Sequence, residues 1–291
     1  MKFSIIIPTY NNFNYLKLAI DSLKKNSSFN NEIIVHINGI DKATESYLDK
    51  TNIKFTKSSK NIGLCSGVNL ASKKSTTDYI VYAHDDMYFL PKWDFHLFEE
   101  IKSLNTNLFY FSSTQISHIP DKGGKDVANH VYFDAGDSIE NFNEKKLLDY
   151  FDSLTFHDLQ GSHWAPHIIH KNVWKKIGGF SEEFDPGFGS DPDLNMKLWN
   201  IGVRIFKGVN KSRIYHFGSL TTRKNKDIVQ NNARKTFLLK WKISMDLFIN
   251  FYLRRGERYT SPLKSPKYSI NYFKILFISK IKYFYYQWKK N

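Results

Sequence analysis

Cysteine is nearly absent from this chain. Cys65 is the single one among 291 residues, so no internal disulfide forms and a reducing compartment is the expectation. Long apolar runs are missing as well. The first, in FSIIIPTY, meets Pro8 after a few residues, too short for a signal-peptide core or a membrane span; it reads as a buried strand of a cytoplasmic protein. Acids are scarce at one end only. Residues 234–291 hold 14 Lys and Arg against Asp246 and Glu257, a net of +12, while the whole chain carries +14. The body is therefore close to neutral. Charge confined to a tail, with no recognition motif, argues against a nucleic-acid binder. In the tail segment INYFKILFISKIKYFYYQWKK the lysines break every apolar run below spanning length. Such a segment lies on an anionic membrane surface rather than crossing it, or else packs as a helix on the body or on a partner.

What the chain does have, in its first hundred residues, is alternation. FSIIIPTY, EIIVHI, IKFTK and DYIVYA read as strands, and NYLKLAIDSLKKN, DKATESYLDK and SGVNLASKK as the helices between them. Leu16, Ala19, Ile20 and Leu23 recur at helical spacing. This pattern predicts a largely parallel sheet flanked by helices, with ligands gathered at the carboxyl ends of the strands. Residues 105–160 are less regular, with LFYFSS a strand and NEKKLLDYF a helix. Order returns in PHIIHKNVWKKIGGF, a strand running into a short helix, then a Gly-rich acidic loop, the helix DLNMKLWNIG, and two strands, VRIFK and SRIYHF. The composition shift places a boundary near residue 230, giving a body of 1–230 and a basic aromatic helical extension of 231–291. No internal repeat is evident.

Polar clusters fall at the predicted strand ends. The run DYIVYA ends in His84, Asp85 and Asp86, and adjacent carboxylates repel each other unless a cation or solvent compensates. A solvated loop is the ordinary reading; a divalent cation carrying phosphate oxygens is the chemical one. NIGLCSGVNLA opens a helix with a glycine-bearing turn, where free N–H groups favour an anion, although it is neither a Walker loop nor a dinucleotide fingerprint. Asp191 and Asp193 begin a helix in GFGSDPDLNMKLW. One acid suffices for capping and for the helix dipole, which leaves the other free to act as a general base. His163, His167 and His170 have the spacing of a zinc helix, but Pro166 breaks that helix and HIIH reads as a strand.

Taken together and in order, SIIIPTYNN, NIGLCSGVN, YIVYAHDDM, IGGFSEEF with SDPDL, and YHFGS resemble the family 2 glycosyltransferases over about residues 1 to 220. The resemblance implies an α/β GT-A type fold with a Rossmann-like sheet, a nucleotide-sugar donor such as a UDP-sugar, Mn²⁺ or Mg²⁺, and inversion at the anomeric carbon. It places Pro8, Thr9 and Tyr10 beside the nucleoside, and Asn38, Asn61 and Gly63 near the base and ribose. Asp85 falls on the donor and Asp86 on the metal, which His216 joins. Asp191 is then the catalytic base, with Asp193 on the acceptor. His163 and Trp164, in the segment before the loop, are expected to shape the acceptor site because aromatic faces suit sugar rings, with core packing the alternative role for Trp164. The acceptor is a glycan or lipid-linked saccharide in surface polysaccharide or glycoconjugate synthesis. The chain departs from the pattern at His84, where the motif has its first acid, at Ile37 and Asn38, where an Asp is usual, and at Ser190, which replaces the first acid of an acidic pair. A catalytically idle nucleotide-sugar or glycan-binding module is the alternative reading.

Overall fold

The computed structural model describes residues 2–119, 130–161, 164–218 and 232–289. Its apolar runs become the middle of one sheet. β1 (Phe3–Thr9), β2 (Glu32–Asn38), β3 (Lys54–Ser58) and β4 (Tyr79–Tyr82) pair in parallel, and α1 (Phe13–Asn26), α2 (Lys42–Lys50) and α3 (Leu64–Ser72) supply the crossovers that parallel pairing needs. Ile5, Ile6 and Ile7 are all fully buried, because a strand covered on both faces has no polar side to show. α1 buries Leu16, Ala19, Ile20 and Leu23 against the sheet.

The second half is mixed in direction. It comprises β5 (Met87–Phe89), α4 (Trp93–Lys102), β6 (Phe109–Ser117), β7 (His130–Tyr132), α5 (Glu144–Tyr150), β8 (Leu159–Gln160), β9 (His167–His170), α6 (Lys171–Ile177), α7 (Ser190–Asn200) and β10 (Ile205–His216). The strand order is β3-β2-β1-β4-β9-β6-β10-β5, with β7 beside β6 and β8 beside β10. β9 runs antiparallel between β4 and β6. VRIFK and SRIYHF, read as two strands, are one: β10 continues through a register irregularity between Val209 and Arg213. HIIH is indeed a strand, and the His170 side chain accepts from the Asn172 N–H at the start of α6.

In the extension, α8 (Ala233–Trp241) and a helical turn over Met245–Tyr252 precede α9 (Ile270–Trp288). Phe237, Phe248, Leu253 and Leu263 join the same core as the sheet. The shared core cluster extends past the change in composition near residue 230, as far as Leu263.

Candidate active site

The carboxyl ends of β1 and β4 open into a cleft. Pro8, Thr9, Tyr10, Asn38 and Asn61 form one wall, Tyr82, His84, Asp85 and Asp86 the floor, and the Pro186–Asp191 loop with Leu64 the opposite side. The register makes the floor. The Ala83 N–H donates to the Ile6 carbonyl at 3.0 Å, which keeps the chain beside β1 to its end. The next residues turn, and β5 returns antiparallel to β10 with Met87 opposite His216.

That pairing brings His216 to Asp86, with Nε2 3.2 Å from Oδ1. His84 approaches from the turn, its Nδ1 3.9 Å from the same oxygen. One ligand atom from each of His84, Asp86 and His216 lies within 4.8 Å of the others. Burial pushes the His84 imidazole down to about 4 despite the neighbouring Asp86, so at neutral pH its ring is uncharged and its lone pair is available to a cation. Two nitrogens and a carboxylate oxygen fit a borderline divalent ion such as Mn²⁺ better than Mg²⁺, which prefers oxygen alone. Asp85 has a different task. It accepts a hydrogen bond from Thr9 Oγ1 at 2.7 Å, and burial, then the charge on Asp86, raises its carboxyl above the ordinary range.

The wall that carries Asn38 and Asn61 is built by side chains that brace a loop. Asn38 donates to the Gly63 carbonyl at 3.0 Å and accepts from the Ile62 N–H at 2.7 Å, while Asn61 accepts from the Gly63 N–H at 2.9 Å. Gly63 itself does not line the cleft. It has φ +90°, and a Cβ there would fall 2.2 Å from the Asp185 carboxyl. Asp185 is also what occupies the start of α3: it accepts from the Cys65 and Ser66 N–H groups and from Ser66 Oγ. The anion expected at this helix terminus is therefore a side chain of the protein, and the turn clamps the acidic loop in place.

The two acids of α7 part company. Asp191 keeps 28% of its side-chain surface open, toward the cleft, and burial of the remainder raises its pKa to about 7. Its Oδ1 lies 3.9 Å from Nε2 of His167, whose ring nitrogens have no hydrogen-bond partner among the described residues. Burial holds that imidazole neutral, down to about 3. Asp193, expected at the acceptor, is fully buried and faces the extension. It accepts from Trp241 Nε1 at 2.8 Å and pairs with Lys240 Nζ at 3.0 Å, which removes it from the cleft. Trp164 is half-buried and is not part of the cleft lining. His163 lies outside the described residues. Sequence reasoning missed Asp185 and His167, and treated His84 only as a departure. The acid preceding Pro186 in the Gly-rich loop was a signal for the first, and the HDD run for the third.

Residues 4–164 match the family described as Glycosyl transferase family 2, and the chain belongs to that family. An uncharacterized glycosyltransferase of Rickettsia bellii (strain RML369-C) is 36% identical over 131 residues, which is 42% of this chain but 18% of that protein. One from Rickettsia typhi (strain ATCC VR-144 / Wilmington) is 29% identical over 230 residues, 76% of this chain and 67% of that protein. Among solved structures, S. aureus TarS 1-349 superposes with a TM-score of 0.52 at 19% identity, covering 74% of this chain and 60% of that one. The same protein in complex with UDP-GlcNAc gives 0.53 at 18%, over 75% and 61%. At such identities the likeness is one of fold, and the fold is of GT-A type.

Proposed function

We propose that this chain is a metal-dependent inverting glycosyltransferase. It moves a hexosyl or related sugar from a nucleotide-diphosphate donor, a UDP-sugar, to a hydroxyl of a glycan or lipid-linked saccharide in surface polysaccharide or glycoconjugate synthesis. It works in the cytoplasm, peripherally on the inner face of a membrane, to which the basic extension attaches. The observation that carries this reading is the convergence of two chemically distinct groups on one cleft: the His84, Asp86 and His216 cluster, and the partly buried Asp191. The UDP-GlcNAc bound by TarS supports the donor class.

Asp191 accepts the proton of the acceptor hydroxyl as its oxygen attacks the anomeric carbon, and the bond from that carbon to the diphosphate breaks on the opposite face. A divalent cation held by Asp86, His216 and His84 would neutralise the charge of the departing diphosphate. Pro8, Thr9, Tyr10, Asn38 and Asn61 seat the nucleoside, and Gly63 fixes the loop that carries Asn61. Asp85, held by Thr9, faces the donor sugar. His163 and Trp164 belong to the acceptor side. The test is a panel of nucleotide sugars, with Mn²⁺, with Mg²⁺ and with excess chelator, read as thermal stabilisation and as product formed. Stabilisation by a UDP-sugar with metal, followed by turnover on a saccharide acceptor, is the expected result. Full activity in chelator overturns the metal, and stabilisation without product on any acceptor leaves a binding module.

A further inference from the structure

α9 turns its apolar face away from the protein. Advancing at about 100° per residue, Ile270, Phe273, Phe277, Ile281, Phe284 and Trp288 fall within about 80° of arc. All six are exposed, Phe277 by 67%, Trp288 by 75% and Ile270 by 90%. The face directly opposite holds the helix down. Tyr272 and Ser279 are buried there, Tyr272 against Phe251 and Tyr252 and Ser279 accepting from the Ser244 N–H. Packing on the body therefore accounts for the inner face and leaves the outer one uncovered. A stripe of this size is more than scattered surface apolar residues.

The flanks identify what covers it. Lys280 borders the stripe on one side and Lys274 on the other, both exposed, while no acid occurs anywhere after Glu257. A helix with a wide aromatic face, lysine borders and no negative charge matches an anionic lipid surface, where the rings enter the headgroup boundary and the ammonium groups meet phosphates. At 19 residues it is about 28 Å long, and no helix among the described residues is long and apolar enough to cross a membrane. We infer that the outward stripe of α9 docks the protein flat on an anionic bilayer, and that the rest of the extension is packing rather than anchor. The inference deepens the proposed function, on which it rests for its purpose: it presents the cleft to a lipid-linked acceptor. The contacts run inward from this surface, since Lys235 of α8 lies over the Tyr286 ring of α9 and Lys240 of the same helix grips Asp193, two residues from Asp191.

The experiment is flotation of the full chain with vesicles of phosphatidylglycerol mixed with phosphatidylcholine, against phosphatidylcholine alone. Metal-dependent UDP binding is measured by thermal shift on the same preparations. Binding to the anionic vesicles that weakens with salt is expected. The combined change Phe277→Ser, Ile281→Ser and Phe284→Ser lowers it at least about tenfold, as does Lys274→Gln with Lys280→Gln. UDP binding stays unchanged in both variants, which reports that they fold. Undiminished vesicle binding by both overturns the inference. So does a concentration-dependent dimer in analytical ultracentrifugation that the serine variant abolishes while the parent ignores vesicles, because a second copy is then the occupant. Vesicle binding without UDP binding sinks the catalytic reading instead and leaves this one standing.

Discussion

Two pairs of acids stand beside one cleft of this fold, and each pair divides its labour differently. Asp85 and Asp86 are adjacent and both buried, and both face the cleft: one is tied to Thr9, the other shares its oxygen with two imidazoles. Asp191 and Asp193 are two apart on a helix and face opposite ways, one to the cleft and one to Trp241 and Lys240 of α8. In a turn, neighbours are held on one side by the strands that flank it. On a helix, residues two apart point about 200° from each other, so the chain cannot aim both at one ligand. A pair of carboxylates in sequence is therefore a different signal in a turn and on a helix.

The largest effect belongs to the turn. Asp86→Ala removes the oxygen that both imidazoles approach, and turnover is expected to fall by about 10³ or more, with loss of metal-dependent UDP binding but not of the fold. Metal titration followed by thermal shift checks it. Retained metal-dependent binding would move the cation elsewhere.

The helix comes next. Asp191→Asn keeps size and removes the proposed base, so donor binding should persist while turnover drops by about 10² to 10⁴. Single-turnover assays separate the two. A variant with near-normal turnover would place the base on another residue.

The strands were legible in the sequence, and for definite reasons, while the opposite facing of Asp191 and Asp193 was not. Strand runs such as FSIIIPTY and EIIVHI were plain because burial on both faces keeps their middles almost continuously apolar. The resemblance to family 2 glycosyltransferases, carried by the motifs in their order, then assigned Asp86, His216 and Asp191 to one site. Long-range pairing was not legible. Nothing local in HIIH says that the strand inserts antiparallel beside β4, which is what puts His167 under Asp191. Nothing in SDPDL says which acid faces the tail, since that is decided by Lys240 and Trp241, nearly fifty residues later in the chain. Asp185 was hidden because its partners, Cys65 and Ser66, lie in another motif.

pH gives a third, smaller effect that sharpens the same comparison. With its pKa raised to about 7, Asp191 must lose its proton to serve as the proposed base, so kcat/KM should rise with pH and level off above about 7. Stability moves the other way. The folded protein holds this proton more tightly than the unfolded chain, so the group's contribution is full below the ordinary value of 3.8 and is lost as pH rises through about 7. Asp191→Asn is then more stable than the parent above pH 7, by about 1–3 kcal/mol given its partial exposure, and indistinguishable from it in strong acid. Metal-free thermal melts across this range check the sign. A variant less stable at pH 8 would show the carboxylate to be favourably bound.

The smallest effect on chemistry, and the one that would break the comparison outright, lies at Asp193. This carboxylate is fully buried, and Lys240, about a quarter exposed, is its charged partner, while Trp241 donates the second bond. Lys240→Met leaves a buried charge with one hydrogen bond and should cost about 3 kcal/mol. Asp193→Asn keeps an acceptor for Trp241 and should cost about 1–2 kcal/mol. The double variant should lose less than the sum, because the second change removes the charge that the first left unpaired. In all three, turnover under conditions where the protein remains folded should stay within about tenfold of the parent, since the Asp193 carboxylate does not line the cleft and is held by α8. Denaturant melts supply the coupling energy, and kcat measured well below the melting point supplies the chemistry. If Asp193→Asn instead abolishes turnover with its stability intact, the buried acid is the base, and the division of labour drawn from burial is reversed.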